Sequence, residues 1–217
     1  SLYFAVGVPF ETVWLPKFTS VHPHLKVVYV VNEVDWMRTR THGSHHHHGG
    51  GHGHIHEEGA RDHHTWLSPK LVMGQIERMV ESLCQMNPEH AETYVANGEA
   101  FIGQIQSFDR DLRAALNGVA SRAFLVFHPA WGYFARDYGL EMLPVEVDGQ
   151  EPSATELAEV LRTARRRGVR AIFAQPEFGL SAAQTVAAEL GVEVIPTSPL
   201  EEDWLHMMHC LASNLVR

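Results

Sequence analysis

The amino-acid sequence predicts an α/β protein with mostly parallel sheets and a long helix bracing two lobes. Three observations carry that reading. Near the start, the apolar runs Leu2-Tyr3-Phe4-Ala5-Val6 and Val27-Val28-Tyr29-Val30-Val31 flank a helical segment around Phe10 to Phe18, which is half of an α/β unit. In the middle lies a helical pattern of some thirty residues, a length of about 45 Å and more than one small lobe needs. Beyond it, four short apolar runs alternate with helical segments, the signature of a mostly parallel sheet.

The elements follow in order from local signals. After the opening α/β unit, the stretch from Arg38 to about Asp62 loses apolar periodicity in favour of Gly, His and charge, and reads as a surface loop. Ser68-Pro69 is a cap and first-turn pair for a helix carrying Val72, Ile76, Met79, Val80 and Leu83 at helical spacing. Asn87-Pro88 opens the long helix, whose stripe runs Tyr94, Phe101, Ile105, Phe108, Leu112, Leu116 and stops at Gly118. Strands are then expected at Phe124–Phe127, Leu143–Val147, Ala171–Ala174 and Val192–Ile195, each followed by a helix. Ser153 with Glu156, and Ser181 with Gln184, read as capping boxes, with Gly168 and Gly191 as stops. The expected organisation is an N-terminal α/β lobe over residues 1–86, partial and carrying a His-rich loop at 42–58, a bridging helix at 87–118, and a C-terminal α/β lobe at 119–217.

Bulk composition narrows the function classes. With 217 residues, 45% hydrophobic, the chain can build one large domain or two small lobes with cores. Lysine plus arginine number 17 against 26 acidic residues, a formal net charge of −9, which argues against nucleic acid and anionic membrane surfaces and suits a cation. No apolar run reaches the roughly 18 to 20 residues needed to span a bilayer. The opening residues lack the charged start and cleavage pattern of a signal peptide and read as a strand already under way, so the expectation is a removed start or a fragment. Cys84 and Cys210 make neither a disulfide framework nor a paired metal-ligand spacing, and both are expected on apolar helix faces as small core residues.

Histidine carries the chemistry. There are 16, and a tract between Thr41 and Gly59 holds His42, His45, His46, His47, His48, His52, His54 and His56. Neutral imidazole is a common ligand for zinc, copper and nickel, and interspersed glycines let several rings converge without backbone strain. The alternative, a purification tag or a solvated loop, fits less well, because tags are usually terminal and uninterrupted. Two further motifs place single histidines where α/β loops present side chains to a crevice. One is Asp62-His63-His64-Thr65-Trp66-Leu67-Ser68-Pro69, ahead of a helix cap; the other is Phe127-His128-Pro129-Ala130-Trp131-Gly132-Tyr133-Phe134, at the carboxyl end of a strand.

With these motifs the chain resembles the metal-specific solute-binding proteins of ABC importers for zinc and manganese, most of all the zinc-uptake members. The resemblance covers nearly all of the chain. It rests on Phe4-Ala5-Val6-Gly7 with Phe10-Glu11, on the histidine tract, and on Asp62 to Pro69 as a version of D-P-H-x-W-L-D-P. Phe127 to Phe134 similarly matches F-H-x-x-x-G-Y-F, and Gln150-Glu151-Pro152-Ser153 with Glu156-Leu157, and Ser198-Pro199-Leu200, extend it. It implies two Rossmann-like lobes joined by a rigid helix, with the metal between them and His64 and His128 at two ligand positions. Three departures stand out, one of them Asp62-His63-His64 where zinc motifs read D-P-H. The family's earliest ligand histidine lies upstream of the first strand here, so the N-terminal lobe reads as incomplete. Ser198 stands where manganese-type members carry an aspartate, which points away from that oxygen-preferring ion. Glu151 falls near a carboxylate position of the manganese-type relatives; an ordinary residue ahead of a helix cap is an equal reading.

The resulting expectation is a monomeric extracytoplasmic or periplasmic protein, not an enzyme, that captures Zn2+ with His64, His128 and Glu151 and passes it to the membrane permease of an ABC importer. The histidine tract would be a secondary zinc site. A storage or chaperone module centred on the tract is one alternative. A zinc hydrolase is a weaker one, since no HExxH-type helix is present.

Overall fold

The computed structural model describes residues 1–31, 34–38, 61–147, 149–178 and 180–216. The chain divides into two compact units, one of residues 1–36 and 63–111, the other of residues 37–62 and 112–217.

In the first unit, β1 (Leu2–Ala5), α1 (Pro9–Val21) and β2 (Lys26–Tyr29) form a β-α-β unit in which the two strands pair in parallel, Leu2 opposite Lys26 through Ala5 opposite Tyr29. The turn into α1 is organised by Glu11, 4% exposed. Its carboxylate accepts the backbone N–H groups of Val6 (3.1 Å), Gly7 (2.7 Å) and Val8 (3.2 Å) and the hydroxyl of Tyr3 (3.4 Å). Burial, and then the neighbouring Glu11 charge, hold the Tyr3 hydroxyl above its ordinary pKa.

After a short 3-10 turn at Thr65–Leu67, helix α2 (Pro69–Met86) starts as the sequence predicts, with the Ser68 hydroxyl accepting from Leu71 N at 3.1 Å. The long helix α3 spans Ala91–Leu116, 26 residues. It begins later than expected because Pro88–His90 form a 3-10 turn behind a non-helical Asn87, whose side chain donates to the Tyr94 hydroxyl at 3.3 Å. Gly98 on α3 faces Val80 on α2, and a Cβ there would lie 2.5 Å from the valine methyl, so this approach requires glycine.

In the second unit, β3 (Ala123–Val126), α4 (Gly132–Tyr138), β4 (Glu141–Pro144), α5 (Ala154–Arg167), β5 (Ala171–Ala174), α6 (Ser181–Leu190), β6 (Glu193–Pro196) and α7 (Trp204–Leu215) alternate as expected. The strands lie in the order β4-β3-β5-β6 and all pair in parallel. Leu125, Leu143, Ile172, Val160 and Ala187 are among the residues of its core. Burying the leucine, isoleucine and valine side chains stabilises by about 1.5–3 kcal/mol each, and the alanine by less.

Three expectations change. The strand predicted from Leu143 starts at Glu141, because Glu141 N donates to Arg122 O at 2.8 Å and the ladder opens with Glu141 opposite Ala123. The Ser153–Glu156 capping box forms, but the Ser181–Gln184 box does not: α6 is capped by Leu180, which makes Ser181 its first helical residue. Cys210 is exposed, not buried, because the apolar face of α7 is set by Met207, Met208, Leu211 and Ala212; Cys84 is half-buried.

Candidate metal centre

The order β4-β3-β5-β6 places the topological switch point between β3 and β5, where the connections leave in opposite directions. In open α/β sheets, ligands bind outside the carboxyl ends of the strands at such a point. His128 lies two residues beyond the end of β3, and Gln175 directly follows β5.

His128 is held by Glu146, which follows β4. Its Nδ1 is 2.7 Å from Glu146 Oε1, with the two side chains 33% and 12% exposed. The backbone brings the pair together, since Val145 N donates to Val126 O (2.8 Å) and Glu146 N to Phe127 O (3.1 Å), continuing the β3–β4 ladder past the strand ends. A carboxylate on Nδ1 favours the tautomer protonated there, which leaves the lone pair on Nε2 as the one an ion could take. Glu146 was not singled out in the sequence; its only signal is its place just beyond a strand. Gln175 was missed likewise, and its Oε1 is a buried atom without a hydrogen-bond partner among the described residues.

The rest of the F-H-x-x-x-G-Y-F motif anchors the chain around Asp62. The hydroxyl of Tyr133, fully buried, donates to Asp62 O at 2.9 Å and accepts from Met37 N at 3.0 Å, while Asp62 N donates to Met37 O at 2.8 Å. Gly132 permits the close approach, because a Cβ there would lie 2.8 Å from Asp62 Oδ2. Asp62 is itself 2% exposed. The two motifs recognised separately in the sequence are thus partly one structural device.

His64, in the first unit, precedes the 3-10 turn at Thr65–Leu67 and is half-buried, its ring 5.3 Å from that of Trp66. The neighbouring His63 packs edge-on against Trp36 at 5.7 Å, and its Nδ1 is buried without a hydrogen-bond partner among the described residues. Glu151 is exposed just ahead of α5. Among the described residues, no three His, Cys, Asp or Glu side chains converge to hold a metal ion. The tract histidines, His42 to His56, lie outside the described residues; an antiparallel bridge between Arg38 and Arg61 stands at its two described flanks.

Ser198 has a role of its own. Its hydroxyl accepts from Leu200 N at 3.2 Å and hydrogen-bonds the Glu177 carboxylate, holding that group below its ordinary pKa. It ties the loop after β6 to the turn after β5.

Parallel sheets with a carboxylate-held histidine at the switch point define the chain as an α/β protein with a candidate ligand-binding crevice. A family model described as the zinc-uptake complex component A, periplasmic, matches residues 1–217, and the chain belongs to this ZnuA family, which comprises uptake proteins and not enzymes. The zinc-binding protein AdcA of Streptococcus pyogenes serotype M3 is 34% identical over 151 residues, 69% of this chain and 29% of the relative. The high-affinity zinc uptake system protein ZnuA of Bacillus subtilis is 30% identical over 144 residues, 65% of this chain and 45% of the relative. The chain thus spans less than half the length of these curated relatives. A crystal structure of ZnuA superposes with a TM-score of 0.85 at 31% identity, covering 99% of this chain and 78% of the other. Among the described residues, no helix is long and apolar enough to cross a membrane.

Proposed function

We propose that this chain captures Zn2+ outside the cytoplasm and delivers it to the membrane permease of an ABC importer, acting as a monomer. In this reading His64 and His128 are direct ligands and Glu151 is a third. The lobes run over residues 1–86 and 119–217, with 87–118 as the bridge. The observation that carries it is the Glu146 carboxylate 2.7 Å from His128 Nδ1. That pairing is how proteins commonly orient a zinc-ligating imidazole. Two nitrogen ligands suit zinc better than manganese or magnesium. Relatives named for zinc binding and zinc uptake support the choice of ion. The tract His42, His45, His46, His47, His48, His52, His54 and His56 acts in this reading as a set of weaker zinc sites that feeds the main one.

Titration calorimetry with zinc tests the assignment. His64→Ala and His128→Ala each weaken the tightest site, Glu151→Gln weakens it less, and His90→Ala, at an exposed histidine that packs on Tyr94, leaves it unchanged. Equal losses from all four variants would overturn it.

A further inference from the structure

We infer that His206 and Cys210 on α7 form a second, accessory site for a borderline-soft divalent cation such as Zn2+, separate from the histidines discussed above. The helix buries Met207, Met208, Leu211 and Ala212, and its other face exposes His206 and Cys210 to solvent. Residues four apart on a helix stand over one another, and here Cys210 Sγ lies 3.4 Å from His206 Nε2.

That separation has a chemical meaning. Zinc bonds of about 2.3 Å to sulfur and about 2.0 Å to nitrogen, opened at a tetrahedral angle, set the two ligand atoms about 3.5 Å apart. The thiol and imidazole therefore already span one edge of a zinc tetrahedron. Asp203 fixes the start of the helix, its carboxylate accepting from His206 N at 3.0 Å, so His206 sits on a capped first turn and Cys210 on the turn that follows. Little conformational entropy is lost when they close on an ion. On binding, the Cys210 thiol gives its proton to solvent and the thiolate and Nε2 each donate an electron pair to the metal. Water completes the other positions. A thiolate and an imidazole select zinc and cadmium over magnesium, calcium and manganese. Two protein ligands make this site weaker than a closed set of four.

The test uses Cd2+ alone as the probe, titrated into the full chain bearing Cys84→Ser, so that Cys210 is its one remaining cysteine. Only thiolate ligation gives the ultraviolet sulfur-to-metal charge-transfer band, so histidine-only sites take up cadmium without contributing to it, and the band reports Cys210 whatever the fate of the His64 and His128 assignment. The expected result is a saturable band that zinc displaces and magnesium does not. Adding His206→Ala should weaken cadmium binding by about tenfold or more, since losing a mere outer-sphere partner of a ligand already costs roughly 10–100-fold. Both side chains are exposed, so the melting temperature serves as the check that the variants fold. A missing band, or one whose midpoint is unmoved by His206→Ala, would overturn the site and leave an ordinary thiol–imidazole hydrogen bond.

Discussion

His128 and Glu146, 18 residues apart in sequence, meet at 2.7 Å between Nδ1 and Oε1 at the carboxyl end of the second unit's sheet. If that carboxylate orients a zinc-ligating imidazole, Glu146→Gln should lower zinc affinity by roughly 10–100-fold. Glu146→Asp should recover part of the loss. Unchanged affinity in Glu146→Gln would remove the main support for His128 as a ligand.

The Tyr133 hydroxyl serves two backbone partners inside the second unit, Asp62 O and Met37 N. Tyr133→Phe keeps the ring and strands both groups, which should cost about 1–3 kcal/mol. In a protein of this size each kcal/mol lowers the melting temperature by about 2–4 °C. Calorimetric melting of the metal-free protein checks this, and a shift below 1 °C, against that roughly 2–4 °C scale, would contradict it.

Ser198 and Glu177 make a pH prediction of known sign. Because the folded carboxyl is held below its ordinary value, chiefly by the Ser198 hydroxyl, its stabilising contribution is present above the unfolded pKa and is lost as pH falls through the folded one. Glu177 is exposed, so the contribution is small. Ser198→Ala should raise the Glu177 pKa toward the ordinary glutamate range, read by following its side-chain carboxyl in an NMR titration. An unmoved titration would show that the hydroxyl is not the cause.

Removing residues 42–58 separates the tract from the main site. The glycines between the tract's histidines add conformational entropy that closing around an ion must remove, a cost that a preorganised site avoids. The deletion should therefore lower zinc stoichiometry and slow capture from dilute zinc, while the tightest affinity and the metal-free melting temperature stay nearly unchanged. Loss of the tightest site would instead favour a storage or chaperone role centred on the tract.

Much of this molecule is legible in its sequence because the relevant signals are local. Alternating apolar runs, the Ser68 cap, the Ser153–Glu156 box and the stripe from Tyr94 to Leu116 each specify an element within a turn or two of themselves. So does the placement of His128 just beyond a strand. Other features depend on pairings that exist only once distant segments meet. The strand order β4-β3-β5-β6 created the switch point, and the extended ladder beyond β3 and β4 set Glu146 against His128. Tertiary burial likewise decided that Met207, Met208, Leu211 and Ala212 face inward on α7, turning Cys210 outward beside His206. A helical period states which residues share a face but not which face meets the core. That choice belongs to the tertiary structure, where the larger apolar area takes the buried side and the thiol is left to solvent.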